Sequence, residues 1–431
     1  RHPLSYNKAQ TMELNRAKGT RDFLPEEKIL RQEVESTIRR TFERYGFSPM
    51  ETPTLERFDV LSAKFAGGEE ILKETFKLED QGKRELGLRY DLTVPLTRVI
   101  AMNQQLRLPF KRYQIGSVFR DGPLKLGRYR EFVQCDIDTV GVPSIKAEAE
   151  VLSVAKDIFA ALNVPIKIRV NNRKILDGLM KKAKIKDEQQ ESIILVLDKL
   201  EKLGLDVVKT ELKQKGVGEA TSKELISWIT MHGSNKEKIE KLKAVLKENE
   251  GIREIEELLV YIPEVEIDVS LARGFVYYTG TFMEVYAQES AVKSSLAGGG
   301  RYDKLIGRFT NEKEFPAVGI SFGLDVMCDV LQEQNREKKE TYTRVFIIPI
   351  KTFQQSWQVA QELRKAGINT EIDLLEKSVG KNLEYVNKKK IPFAIFIGEE
   401  ELKKKCVKLR DMKSGEETLA TIAEIVKKIK K

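Results

Sequence analysis

Histidine is nearly missing from this 431-residue chain: only His2 and His232 occur. One lies near the N-terminus and the other beside Gly233 in a lysine-rich stretch, so neither is placed as a general base, metal ligand or triad member. Cysteine is almost as scarce, and Cys135, Cys328 and Cys406 are scattered and odd in number. That excludes a fully paired disulfide scaffold and offers no CxxC zinc pattern, so no metal site built from cysteine or histidine is expected, and a reducing cytoplasm is. No apolar run approaches the ~18–20 residues that span a bilayer. No G-x-x-x-x-G-K-[ST] is present, which removes a P-loop. Gly298-Gly299-Gly300-Arg301-Tyr302-Asp303 has no glycine at the sixth place of a dinucleotide fingerprint and reads as a tight bend. No nicotinamide or flavin is therefore expected.

What remains is a chain with 41% hydrophobic and 33% charged residues, long enough for two or three domains. The charge of +9 is uneven: Thr341–Lys431 carries 19 Lys/Arg against 12 Asp/Glu, whereas Asn172–Ile262 has 18 against 17. A basic terminal module suits a polyanion such as nucleic acid, and equally a solvated lysine-rich surface. Residues 1–17 are read as a tail or extension, since Arg1–Asn15 has no apolar secretory core and Met12 could be the natural start.

Apolar residues at Ile29, Leu30, Val34, Ile38 and Phe42 predict an amphipathic helix over Glu26–Tyr45, closed by Gly46 in a left-handed cap. Leu55–Lys73 reads as helix or loop. Strands are expected at Thr75–Leu78, Glu85–Tyr90, Arg112–Arg120 and Glu131–Val140. The last alternates Val133, Cys135 and Ile137 with Gln134, Asp136 and Asp138. Such a polar face either lines a cleft or is half exposed. A helix at Ile145–Leu162 and a strand at Ile166–Val170 precede a helical insertion, residues 172–262, with Ile193, Ile194, Leu197, Leu200 and Leu203 at helical spacing. Strands return at Glu264–Val269, Phe275–Tyr278 and Met283–Tyr286, then a helix at Val326–Glu333. The larger unit, residues 18–171 with 263–333, is thus α+β with an antiparallel sheet. After a linker at 334–341, residues 342–431 alternate strands and helices: strands at Val345–Ile350, Thr370–Asp373, Phe393–Ile397 and Val407–Asp411, helices at Gln354–Ala366, Val379–Lys389 and Leu419–Ile429. This predicts an α/β domain with a mostly parallel sheet.

With histidine and cysteine chemistry set aside, arginine is left. Phe119-Arg120 ends one strand, a loop with glycine and proline runs Asp121–Gly127, and Arg128-Tyr129-Arg130 opens the next. Arginines facing each other across such a loop can clamp phosphate with two-pronged hydrogen bonds. Arg273 precedes Gly274 and the pair Tyr277-Tyr278.

Together with Lys18-Gly19-Thr20-Arg21-Asp22-Phe23, Leu88-Arg89-Tyr90-Asp91-Leu92-Thr93, Gln134-Cys135-Asp136-Ile137-Asp138 and Gly299-Gly300-Arg301-Tyr302-Asp303, these segments resemble class II aminoacyl-tRNA synthetases, within them the histidyl-tRNA synthetases of archaeal and eukaryotic type. The resemblance runs from about Lys18 to the chain's end. It implies the class II antiparallel sheet flanked by helices, the helical insertion and a C-terminal α/β anticodon-binding domain. It also implies a cytoplasmic homodimer, with Pro53 near its interface, that uses ATP and Mg²⁺, L-histidine and histidine tRNA, and no zinc. By that resemblance Arg120 and Arg273 are catalytic. Asp91, Leu92, Thr93, Gln134, Asp138, Tyr277 and Tyr278 would bind histidine, with Asp138 and Tyr278 on its two ring nitrogens. Arg120, Arg128, Arg273 and Tyr302 would bind ATP. Two positions depart from the pattern. Val326 follows Gly323-Leu324-Asp325 where a γ-phosphate arginine is common, so that contact is either absent or supplied elsewhere, with the hairpin loop and Arg301 as candidates. Val276 stands where an acidic residue is frequent. The other reading is a non-catalytic paralogue serving as a histidine-sensing regulatory subunit of histidine biosynthesis.

Overall fold

The computed structural model describes residues 14–63, 72–103, 105–124, 128–272, 277–309, 315–334 and 339–430. The chain separates into two compact units, Arg1–Asp22 with Glu33–Arg336, and Phe23–Gln32 with Glu337–Lys431. Among the described residues no helix is long and apolar enough to cross a membrane.

The strands of the first unit are β1 Ser48–Pro49, β2 Leu55–Arg57, β3 Lys77–Glu79, β4 Glu85–Leu88, β5 Phe110–Phe119, β6 Glu131–Val140, β7 Ile166–Asn172, β8 Glu266–Ile267, β9 Thr281–Ala287, β10 Ala297–Arg301 and β11 Ala317–Gly323. Eight of them form one sheet in the order β1-β5-β6-β11-β10-β9-β7-β8, while β2-β4-β3 form a smaller sheet. The large sheet is antiparallel except at its two margins, where β1 joins β5 and β8 joins β7 in parallel. Along its middle strands, alternate residues segregate by chemistry. Tyr113 and Ile115 on β5 stand opposite Ile137 and Cys135 on β6, which in turn oppose Ile320 and Phe322 on β11. This apolar face packs against helices Pro25–Arg44 and Lys146–Ala161. Phe42 meets the rings of Tyr113 and Phe322 at 5.6 and 5.7 Å, and Phe159 meets Phe322 at 6.1 Å. Burying aromatics of this size contributes on the order of 2–3 kcal/mol each. The other face of the same strands carries the polar residues.

Several sequence expectations change here. The triple glycine is not a bend: Gly298, Gly299 and Gly300 lie inside β10, between β9 and β11. A Cβ on Gly299 would stand 2.0 Å from the Gly319 carbonyl oxygen, so the close approach of the two strands demands glycine. The central strand β11 was not anticipated, because Gly319, Ser321 and Gly323 dilute its apolar pattern. Leu55–Lys73 begins with β2 before turning into the helix Phe58–Ala63, and residues 64–71 lie outside the described residues. Of the strand expected at Phe275–Tyr278, Tyr277 and Tyr278 lie in turn and coil instead, and 275–276 lie outside the described residues. The insertion is helical as expected, with seven helices from Arg173–Lys182 to Glu250–Tyr261. The residues at helical spacing, Ile193 to Leu203, do not share one helix: Asp187–Leu197 ends before Leu200–Leu203 begins, and Gly204, at a φ of +83°, closes the second.

The second unit has a five-stranded sheet in the order β13-β12-β14-β15-β16, made of β12 Val345–Pro349, β13 Thr370–Ile372, β14 Phe393–Ile397, β15 Val407–Asp411 and β16 Glu417–Ala420. Only β13, β12 and β14 run parallel; β15 and β16 join antiparallel, so "mostly parallel" holds for half of it. Leu419 and Ala420, expected at the start of the last helix, belong instead to the unforeseen strand β16, and the helix is Ile422–Lys430. Val345, Ile347, Leu363, Ile395, Leu409 and Ile425 form the core on one side of this sheet.

Candidate functional site

The polar face of the large sheet is built in rows. Arg112 of β5 stands opposite Asp138 of β6, which stands opposite Gly319 of β11, which stands opposite Gly300 of β10. The next row is Gln114, Asp136, Ser321 and Gly298. Gln134 sits between Gly116 and Gly323. Charged and amide groups therefore occupy two strands, and the two beside them are almost bare. Bareness is required: a Cβ on Gly319 would stand 2.0 Å from Asp138 Oδ1, and one on Gly300 2.8 Å from the Tyr278 ring. The result is a trough floored by backbone and walled by carboxylates and aromatic rings.

Asp138 is the centre of the trough. Its Oδ2 lies 2.6 Å from Arg112 Nη2, and its Oδ1 accepts a hydrogen bond from the Tyr302 hydroxyl. Burial pushes the Asp138 carboxyl upward, opposed by Arg112 and the Tyr302 hydroxyl. Burial likewise drives Asp136 up to about 7, against the pull of Arg112. Tyr302 is pushed well above the usual phenol range by burial and by Asp138. Gln134 Nε2 donates to Ser321 Oγ at 2.8 Å. Asp91 ends the loop before helix Thr93–Met102, and its Oδ1 accepts from the backbone N–H groups of Thr93 and Val94 at 3.2 and 2.9 Å. Those donors are otherwise orphaned at a helix start. Leu92 is fully buried, and its carbonyl accepts from Arg112 at 3.1 Å, so its part in the site is a backbone one. Tyr277 packs on Tyr278 at 4.8 Å and edge-on to Tyr302 at 6.3 Å.

At the end of β5, Arg120 is clamped between two rings, 4.2 Å from Tyr90 and 5.0 Å from Phe132. Its Nε donates to the Tyr90 carbonyl at 3.2 Å, and among the described residues its terminal nitrogens have no hydrogen-bond partner. A rigidly stacked guanidinium with open donors is suited to grip a planar or tetrahedral anion. Arg128 is exposed across the hairpin from it. The return strand is held from two sides. Arg130 donates its N–H to Gly19 O at 2.9 Å, and Asp325 accepts from Val133 N at 3.0 Å while pairing with Arg21, whose guanidinium lies 3.3 Å from the Tyr129 ring centre.

Of the sequence candidates, the structure brings Asp91, Gln134, Asp138, Tyr277 and Tyr278 together around the trough, with Arg120 at the hairpin. Arg273 and Val276 lie outside the described residues. Two assignments change. Tyr302, expected to face ATP, is buried with its hydroxyl committed to Asp138. Arg301 cannot replace the missing arginine at Val326: it projects from the opposite face of the sheet. There Nε and Nη2 each donate to Glu148 at 2.6 Å, and its remaining donors reach Val142 O, Ser144 O and Asp303. Sequence reasoning missed Arg112, Ser321 and Gly319. The alternation of Arg112, Gln114 and Gly116 is the signal that could have found the first, because it mirrors Gln134, Asp136 and Asp138. Among the described residues no group of three or more His, Cys, Asp or Glu is placed to hold a metal ion.

A family model described as histidyl-tRNA synthetase matches residues 19–327, and one described as an anticodon binding domain matches residues 344–431. Histidine–tRNA ligase 1 of Bacillus cereus is 44% identical over 425 residues, covering 96% of this chain and 99% of that one. The histidine–tRNA ligase of Clostridium tetani is 36% identical over 96% of this chain. The crystal structure of histidyl-tRNA synthetase from Nostoc sp. PCC 7120 superposes with a TM-score of 0.85 at 33% identity, covering 97% of this chain and 99% of that one. These relatives are bacterial, so the expectation of an archaeal or eukaryotic type is not supported. With one family model across most of its length and a second across its remainder, the chain belongs to the histidyl-tRNA synthetase family.

Proposed function

We propose that this chain is a histidine–tRNA ligase, which activates L-histidine with ATP and transfers it to the 3′ end of histidine tRNA. The observation that carries the choice of amino acid is the Asp138 carboxylate, fixed by Arg112 and Tyr302 in a trough whose other wall is Tyr277 and Tyr278. An acidic acceptor and a phenol at opposite ends of a small ring match an imidazole, and a wrong side chain would leave buried polar groups unpaired. In this reading Asp91, Thr93 and Gln134 receive the α-ammonium group. The histidine carboxylate oxygen attacks the α-phosphorus, an acyl–phosphate bond forms, and the bond to the bridging oxygen breaks to release pyrophosphate. A ribose hydroxyl of the tRNA terminus then attacks the acyl carbon, loses its proton, and AMP leaves. Arg120 holds the α-phosphate where negative charge accumulates, and Arg273 bridges it to the histidine carboxylate. Arg128 reaches the outer phosphates. Magnesium arrives with ATP as part of that substrate, since such ions are held largely by phosphate oxygens with one or two carboxylates.

Retention of a basic C-terminal module matching an anticodon binding domain favours the ligase over a regulatory paralogue. The same reading includes a cytoplasmic homodimer with its interface near Pro53, and a division into residues 18–171 with 263–333 for catalysis, 172–262 for the helical insertion, and 342–431 for the anticodon. ATP–pyrophosphate exchange tested with each amino acid in turn should proceed with histidine alone. Arg273→Ala should lower exchange at least about 100-fold with the fold intact, the scale of losing one transition-state donor. Tight histidine binding without any exchange would point to the regulatory paralogue.

A further inference from the structure

Arg112 is the largest fully buried side chain among the described residues, and its charge cannot be shed, because a guanidinium stays protonated in proteins. Nη2 is spent on Asp138 and on the Leu92 carbonyl. Nε and Nη1 have no hydrogen-bond partner among the described residues, and neither has Asp136 Oδ1. Asp138 thus has the Arg112 guanidinium against Oδ2, in ion-pair contact without hydrogen-bond geometry, and the Tyr302 hydroxyl donating to Oδ1. That is the environment of an ionised carboxylate, which accepts and does not donate. Asp136 makes no ion pair among the described residues, and burial lets it keep its proton to about 7. The other charged or polar groups facing this pair include Gln114 opposite Asp136, Asp91 ahead of helix Thr93–Met102, Arg89 between the Thr52 and Ser117 carbonyls, and Gln134 with Ser321. The fixed charge of Arg112 is therefore paired with Asp138 at the end of the trough that meets the substrate ring, while Arg89 and Asp91, also buried, add one charge of each sign beside it.

We propose that Arg112 makes this site select the neutral imidazole of histidine over the imidazolium. This rests on the reading that the trough binds histidine. Arg112 acts through Asp138 as a positioning residue. It presents a carboxylate that can accept a ring N–H but whose charge is already compensated. A neutral ring brings one N–H for that oxygen and no net charge. An imidazolium brings a second cation into a buried site that has spent its counter-charge, which is costly where water is excluded. A carboxylate without Arg112 would favour the opposite state, since an unpaired buried anion draws a cation.

The test is the pH dependence of kcat/KM in ATP–pyrophosphate exchange, for histidine and for 1,2,4-triazolylalanine, whose ring remains neutral. The histidine-to-triazole ratio of the wild type should fall roughly tenfold per pH unit below the ring pKa of about 6.5. Arg112→Met should flatten that fall to less than about twofold, and Arg112→Lys, which restores the charge, should bring it back. A wild-type ratio that does not change with pH, or an Arg112→Met variant that keeps the wild-type slope, overturns the proposal. Because removal of a buried charge can unfold a protein, calorimetric titration of the wild type at pH about 5.5, in two buffers of different ionisation enthalpy, provides a second measurement. Close to one proton should be released per histidine bound, and release of none overturns the proposal. Wild-type exchange with another amino acid, or with none, would overturn the histidine reading itself and Arg112's role with it.

Discussion

Asp136 is the residue whose titration the folded protein can least hide. Its carboxyl is pushed up to about 7 by burial, while an unfolded aspartate titrates near 3.9. Between those two values the folded chain holds a proton that the unfolded chain has lost. Stability from this group is therefore greatest at low pH and declines as pH rises through about 4 to 7. Asp136→Asn, which keeps the shape and removes the ionisation, should match the wild type only below about pH 4, where both states keep the proton. At pH 8 it should exceed it by on the order of 2–4 kcal/mol in urea unfolding. Equal differences at both pH values would place the proton elsewhere. Sequence alternation had placed Asp136 on the polar face with Gln134 and Asp138. That it lacks a cation of its own, while Asp138 has Arg112, depends on which residue β5 sets opposite each, and pairing register is not readable from one strand.

At the level of elements, the large sheet is tied to the helix beneath it by the Arg301–Glu148 pair, nearly fully buried and bidentate. Arg301 belongs to the glycine-rich strand β10 and Glu148 to helix Lys146–Ala161, so the pair fixes how strand and helix meet. Glu148→Gln leaves a buried guanidinium short of its counter-charge and should cost about 3–5 kcal/mol in thermal or urea unfolding. A loss under about 1 kcal/mol would mean the pair is relieved by water. Activity is set by the other face, so Gly319→Ala should act differently. A Cβ at 2.0 Å from Asp138 Oδ1 must displace that carboxylate, raising the KM for histidine far more than the KM for ATP. Elements with strong periodicity, such as the helix Pro25–Arg44 and strand β6, were legible to within a residue or two. Strand β11 was not, because the glycines and serine that keep the trough open also erase the apolar alternation that marks a strand. The same holds for β10, where three glycines resemble a turn in sequence and form a central strand in the sheet.

For the whole molecule, the sequence separated the catalytic part from the basic C-terminal module through composition and the change from adjacent strands to alternating ones. It could not show that Phe23–Gln32 would group with that module, since only long-range packing decides it. The net charge of +9 predicts that tRNA binding weakens with salt, each phosphate contact adding close to one unit to the slope of log affinity against log salt concentration. Histidine binding, buried and nearly charge-balanced at the ring, should barely respond across the same range. Filter binding of tRNA alongside exchange kinetics, from about 50 to 200 mM salt, measures both; parallel salt responses would contradict the division. The floor of the trough has one more consequence, for inhibition. A compound pressed against Gly300 and Gly319 meets main-chain atoms that no codon change can remove. Replacing either glycine adds an atom into Asp138 or Tyr278 and harms the enzyme itself. Resistance to such a compound would have to arise from the walls, leaving the floor as the part of the site least able to escape a drug.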